Sequence, residues 1–242
     1  MSKRAVVVID IQNDYFPDGK YELVGIEQAA ANAARVIETA RGQGDRVIHV
    51  RHIFPSQDAP FFTPDSEGSE INPVVAPRAG EPVVVKNAPN PFLKTDLKKI
   101  LDDGGIEEVV VVGAMSHMCI DATARAASDY GYKTTVVQDA CATRDLEYGG
   151  TTVPAASVHA AMMSALGFAY ATVTDTDSYV RQAAPGAAGY GRLPAPSPGP
   201  RSFPRAARVI PRIAASTPRP GGAGPRAAPA ARRSSRACPR SR

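Results

Sequence analysis

Tryptophan is absent from this 242-residue chain, and cysteine is scarce, at three. Cys119, Cys141 and Cys238 are odd in number, far apart and never at Cys-x-x-Cys spacing. That excludes a disulfide framework and a thiol-based zinc site, and it points to reducing, cytoplasmic surroundings. No apolar run approaches the roughly 20 residues of a membrane span. The opening stretch MSKRAVVVIDIQNDY has a short apolar run, but Asp10 and Asp14 interrupt it. It therefore does not fit a secretory signal.

Acidic residues are missing altogether from the end of the chain. Twelve of the 28 Lys and Arg fall after Ala184 with no Asp or Glu beside them. Residues 1–184 thus hold 16 basic against 24 acidic residues, a net charge of −8 hidden beneath the overall +4. The basic character belongs to the tail and says nothing about what the rest binds. Twelve of the 22 prolines also fall there. Proline has no N–H and a fixed φ, so such density blocks helix and sheet alike. Residues 183–242 are expected to be a disordered extension. Its arginines are spread out rather than clustered, so nucleic acid is not the expected partner.

Residues 1–182 form the expected domain. RAVVVIDI, DRVIHVRHI, PVVVK, EEVVVVG, YKTTVVQDA and AYATVTDT read as six strands. Between them lie helical stretches. One is GIEQAAANAARVIETARGQG, with Ile26, Ala30, Ala33, Ala34 and Ile37 on one face. Another is TDLKKILDDGG, capped by Thr95 or Asp96. MCIDATARAASDYG and PAASVHAAMMSALGF follow. A long loop runs from Phe54 to about Glu81. Strands alternating with helices, and apolar throughout rather than on every second residue, indicate a mostly parallel sheet covered on both faces. The fold class is α/β: a three-layer αβα, Rossmann-like domain.

In such sheets ligands bind outside the carboxyl ends of the strands. The first strand ends in Asp10, the PVVVK strand in Lys86, and the VVVV strand leads through Gly113 to Cys119. A thiolate is the reactive form of cysteine, and a helix N-terminus or a cation lowers its pKa. Cys119 is expected in the first turn of a helix, with Lys86 as the cation and Asp10 as the base that takes the thiol proton and returns it to a leaving amine. The helix N-terminus, including the Cys119 N–H, could hold an oxyanion. Tyr15, Phe16, Phe61, Phe62, Asn87, Phe92 and His117 are candidate pocket residues. Cys141 reads as structural, and His159 as packing beside Met162 and Met163.

VVVIDIQNDY (6–15), PVVVKNAPNPF (82–92), VVVVGAMSHMCIDATARAASDYGYKTTVVQDACAT (109–143) and HAAMMSALGFAYATVTDT (159–176) resemble the isochorismatase-like cysteine hydrolases, among them nicotinamidases, N-carbamoylsarcosine amidases and streptothricin hydrolases. The resemblance covers residues 1 to about 182 and none of the tail. It implies an Asp10–Lys86–Cys119 triad, a thioester route and a homodimer or homotetramer. It also implies a cis peptide between Ala114 and Met115 that adds the Met115 N–H to the oxyanion hole. The chain departs from the nicotinamidase pattern at the metal motif. Where those enzymes have Asp-x-His, it has His52-Ile53-Phe54, and no histidine follows until His117. His49 and His52, three apart on a strand, point to opposite faces. No metal or other cofactor is expected. Cysteine at position 119 favours an amide or related C–N bond in a small molecule. A non-amide isochorismatase-type substrate, or a non-catalytic thiol-sensing protein on the same fold, is the alternative.

Overall fold

A computed structural model describes residues 2–183. The tail expected over 183–242 lies outside them, apart from Ala183, which ends the last helix.

Six strands form one sheet: β1 (Arg4–Ile9), β2 (Arg46–His52), β3 (Val83–Lys86), β4 (Glu108–Ala114), β5 (Lys133–Ala142) and, last in the chain, a short strand Thr172–Thr174. An exposed two-stranded hairpin, β6 (Leu146–Tyr148) and β7 (Thr151–Val153), precedes that last strand, which is therefore β8. Nothing in the apolar pattern signals the hairpin. The sheet order is β3-β2-β1-β4-β5-β8, and all five pairings are parallel.

The unbroken valine runs are explained by burial on both sides. Ala5, Val7 and Ile9 of β1 and Val109 and Val111 of β4 face one layer. That layer includes Leu97 and Leu101 of α2 (Leu97–Asp103), Ala124 and Ala127 of α3 (Asp121–Asp129), and Met163 and Leu166 of α4 (Ala155–Ala169). Val6, Val8, Val110 and Val112 face the other layer. There they meet Ala30, Ala33, Val36 and Ile37 of α1 (Ile26–Gln43) and Tyr179 of α5 (Thr176–Ala183). Each such aliphatic side chain contributes on the order of 1.5–3 kcal/mol when fully buried. Among the described residues no helix is long and apolar enough to cross a membrane.

Two helix starts are set by residues just outside them. Thr95 Oγ1 accepts the Leu97 N–H at 3.2 Å, so Thr95 rather than Asp96 caps α2. Pro154 is the residue just before α4 rather than within its first turn.

The carboxyl ends of β3, β2, β1 and β4 are neighbours, which brings their terminal residues to one rim. His52 pairs in register with Lys86, and Ile9 with Gly113. Gly113 has φ +126°. A Cβ there would lie 1.9 Å from the Ile9 carbonyl oxygen, so only glycine lets β4 run this close to β1.

Candidate active site

Asp10 directly follows β1, which ends one residue earlier than the sequence pattern placed it, and has a left-handed φ of 51°, a conformation aspartate tolerates better than most residues. Its N–H is held by the Val50 carbonyl at 3.0 Å, so the turn is tied to β2. Lys86, the last residue of β3, is fully buried and directs its ammonium to the same point. Beyond Gly113 the Ala114–Met115 peptide is cis. A single wide π-type turn, Ser116–Ile120, then delivers Cys119. The sequence pattern put Cys119 in the first α-turn. The π-type turn instead precedes α3, and it is where the thiol is aimed inward.

Lys86 Nζ lies 2.7 Å from Asp10 Oδ2, 2.8 Å from His52 Nδ1 and 3.2 Å from Cys119 Sγ. All four residues are 5% exposed or less. Three widely separated strand ends thus converge as their positions in the sequence suggested, and a fourth, His52, joins them.

The electrostatics differ from the simple expectation of a lowered thiol pKa. Burial and the Asp10 carboxylate push the Cys119 thiol up, and Lys86 only partly opposes them. The resting state that follows is a neutral thiol beside a carboxylate–ammonium pair. Burial would lower Lys86, but Asp10 and Cys119 together outweigh it, and the ammonium is held above its usual range. Burial raises Asp10, with Lys86 partly offsetting it. Burial, with Lys86 beside it, takes His52 down to about 3, so its ring is neutral.

A pocket of about 150 Å³ opens onto Cys119. Of the expected pocket residues, Tyr15, Phe61 and Asn87 line it, together with Met115. His52, Phe54 and Met118 also form its wall. Phe62 turns the other way, into full burial against Tyr15 at a ring distance of 4.6 Å. Phe16 packs between two apolar clusters. Phe92 is buried 5.2 Å from the Tyr130 ring, in the layer under α2 and α3. His117 Nδ1 is engaged at 2.6 Å by the Thr143 hydroxyl. These four do not line the pocket. Cys141 is buried, its thiol bonded to the Val137 carbonyl at 3.3 Å. His159 contacts the Ser116 hydroxyl at 2.8 Å, behind the π-type turn. Wider hollows of about 350 and 430 Å³ open at the amino ends of the strands, and no cysteine or histidine lines them.

The remaining positions of the Asp-x-Gln-x-Asp start have structural work that sequence reasoning did not assign. Gln12 Nε2 donates to the His52 carbonyl at 2.8 Å, and Gln12 Oε1 accepts the His52 N–H at 2.8 Å. Asp14 Oδ2 accepts the Phe62 N–H at 2.6 Å and holds Phe62 at φ +50°. Together they pin the loop after β2, so that Phe61 faces the pocket.

The donor set fits a metal poorly. Atoms of Asp10, His52 and Cys119 lie within 4.8 Å of one another. Lys86 Nζ touches all three, however, and a cation there would meet the ammonium. At the nicotinamidase motif position Phe54 offers no ligand, and its ring packs 4.5 Å from His52.

The fold and sequence have matches among known proteins. The family described as "Isochorismatase domain" matches residues 4–178. The isochorismatase family protein YddQ of Bacillus subtilis, itself uncharacterized, is 50% identical over 177 residues, covering 73% of this chain and 98% of its own. The nicotinamidase of Escherichia coli is 27% identical, covering 72% and 97%. The crystal structure of an isochorismatase from Pseudomonas putida superposes with a TM-score of 0.69 at 37% identity, covering 73% of this chain and 89% of the other.

Proposed function

The chain belongs to the isochorismatase family of hydrolases, and we propose that it hydrolyses the C–N bond of a small-molecule amide through a thioester on Cys119. The carrying observation is the buried cluster in which one ammonium touches a carboxylate at 2.7 Å and a thiol sulfur at 3.2 Å.

In this reading Asp10 takes the Cys119 proton as sulfur attacks the carbonyl carbon. Its acceptor capacity is not exhausted by the ion pair, since neither carboxylate oxygen has a further hydrogen-bond partner among the described residues. The carbonyl electrons move onto oxygen, and the Met115 and Cys119 N–H groups hold that charge. Asp10 then gives its proton to nitrogen, the C–N bond breaks, and ammonia or an amine leaves. Water adds to the thioester with Asp10 again as base. The acid departs and the thiol regains its proton. Lys86 stays an ammonium throughout. It keeps Asp10 ionised inside the protein and steadies the sulfur as it becomes anionic. The neutral resting thiol fits this scheme, because the proton moves only when a carbonyl is in place.

The test is a screen of primary and secondary amides for released ammonia or amine, run on the full chain and on Cys119→Ala and Asp10→Asn. The wild type should turn over at least one amide that both variants leave intact while remaining folded. Full activity in both variants would overturn the mechanism.

A further inference from the structure

Ser116 sits between the two residues whose N–H groups are read above as the oxyanion hole. Met115 precedes it, and Cys119 follows in the same turn. That turn is wound on the Met115 carbonyl, which accepts the Met118 N–H at 3.0 Å and the Ile120 N–H at 3.2 Å. Ser116 is fully buried and is tied from behind. Its hydroxyl lies 3.2 Å from the carbonyl oxygen of Ala142, the last residue of β5, and 2.8 Å from His159 Nδ1 on α4.

Those two partners fix where the protons are. A carbonyl oxygen can only accept, so the single Ser116 O–H goes to Ala142. The Ser116 oxygen then accepts from His159, whose ring must carry a hydrogen on Nδ1. The reverse direction would set two oxygens 3.2 Å apart with no hydrogen between them.

The strut has a firm base. Asp145 Oδ1 accepts the Ala155 N–H at 2.7 Å where α4 begins, and Val158, Met163 and Leu166 of that helix are buried. The next residue of the turn is laced in parallel: His117 Nδ1 meets the hydroxyl of Thr143, which follows Ala142, at 2.6 Å. His159 itself borders a separate hollow of about 220 Å³ behind the turn and does not line the pocket that opens onto Cys119. Any influence it has on the chemistry therefore passes through Ser116. An apolar side chain at 159 would fill the same space beside Met162 and Met163, but it could not hold a hydroxyl whose own proton is committed elsewhere.

We propose that His159 is a positioning residue. By donating from Nδ1 to Ser116 it holds the Met115–Cys119 turn so that both N–H groups meet the developing oxyanion. A misplacement of about 1 Å at such a site can cost about a hundredfold in rate. This rests on the thioester reading above and deepens it.

Two reagents, used on the full chain, separate the oxyanion hole from the thiol. Acetaldehyde carrying carbon-13 at its carbonyl adds to Cys119 as a hemithioacetal. The S–C bond forms, the C=O π bond opens, and the thiol proton ends on the oxygen, which sits in the hole. Iodoacetamide alkylates the same sulfur with loss of iodide and the thiol proton, and no charge develops on a carbonyl oxygen. His159→Leu removes the strut, and His159→Asn restores an amide N–H near the Nδ1 position.

The wild type should show a hemithioacetal signal that Cys119→Ala lacks. His159→Leu should weaken acetaldehyde binding, and lower kcat on any amide the wild type hydrolyses, by about tenfold or more. KM and the rate of Cys119 alkylation should change by less than about twofold, because neither reads the hole. His159→Asn should return acetaldehyde binding to within about threefold of wild type. Ser116→Ala should match His159→Leu, and combining the two should add little. Nitrogen-15 NMR should show the ring resonance absent from His159→Asn as the Nδ1–H tautomer. Binding unchanged in His159→Leu, no rescue by His159→Asn, full additivity with Ser116→Ala, a parallel fall in alkylation, or a ring protonated on Nε2 alone would overturn the proposal and leave the thioester reading standing. A wild type that neither forms the hemithioacetal nor hydrolyses an amide would count against that reading, and the proposal would fall with it.

Discussion

The Lys86 ammonium lies 2.7 Å from the Asp10 carboxylate, and both side chains are sealed from solvent. A buried pair of this kind is costly to break and less costly to remove whole. Lys86→Met should destabilise the protein by about 3–5 kcal/mol, because it strands a buried carboxylate. Asp10→Leu combined with Lys86→Met should recover much of that stability with no activity. Urea melts of the single and double variants check this. A double variant as unstable as Lys86→Met would show that the two groups do not act as a pair.

Activity should carry the signature of a raised base. Burial holds Asp10 above the ordinary aspartate value of 3.8, and Asp10 must be ionised to accept the thiol proton. As pH falls, kcat/KM should therefore decline with an apparent pKa above 3.8 that belongs to the coupled cluster rather than to one residue. His52 adds no step of its own, since it stays neutral down to about 3. A pH–rate profile checks both points, and a limb at or below the ordinary value would contradict the assignment of the base.

Gly113→Ala should be among the most damaging single changes. The new Cβ would lie 1.9 Å from the Ile9 carbonyl oxygen, and the backbone there is at φ +126°. The neighbour is backbone in the middle of the sheet, so it cannot swing aside. Circular dichroism and thermal melting should show a loss of about 3 kcal/mol or more, or no stable fold. A well-folded variant with full activity would mean that β4 can separate from β1 at no cost.

Glu81 offers a stability test away from the chemistry. It accepts two bonds from Arg41 at 2.7 Å, the Arg78 N–H at 2.8 Å and a contact from His49 at 3.2 Å. Partial burial would raise its pKa, but the bonds from Arg41, Arg78 and His49 pull it from 4.5 down to about 2. A depressed carboxylate stabilises the fold above its unfolded value, and that stability is lost as pH falls through the folded one. Glu81→Gln should therefore cost about 1–3 kcal/mol at pH 7. The gap between wild type and variant should shrink as pH falls from 4.5 toward about 2. A gap that is constant over that range would contradict the ionic origin.

Much of this was legible in the residues themselves. Valine runs without alternation, bounded by turn residues, fit strands covered on both faces, and helices between them fit a parallel sheet. Parallel strands end at one rim, so Asp10, Lys86 and the segment leading to Cys119 could be placed together before their distances were known. Other features depend on three-dimensional facts that local pattern does not carry. His52 meets Lys86 because β2 and β3 are neighbours with those two residues in register, whereas the sequence raised His52 only as a metal ligand. Phe62 looked like a pocket residue as an aromatic of the long loop after β2, and Phe92 because it follows Lys86. The loop after β3 folds Phe92 down onto Tyr130, and Asp14 turns Phe62 away from Phe61. The thiol's surroundings were legible only in part, because a helix start and a cation were visible as neighbours, while the opposing weight of burial and of the carboxylate was not.

The covalent role of Cys119 is tested most directly by acid-quenching the full chain during turnover of an amide it hydrolyses and mapping the adduct by peptide mass spectrometry. The predicted result is an acyl group, equal to the amide minus its amine, on Cys119 and on neither Cys141 nor Cys238, and absent when Asp10 is Asn. Sustained turnover by a Cys119→Ala variant, or an acyl group carried by another residue, would contradict it.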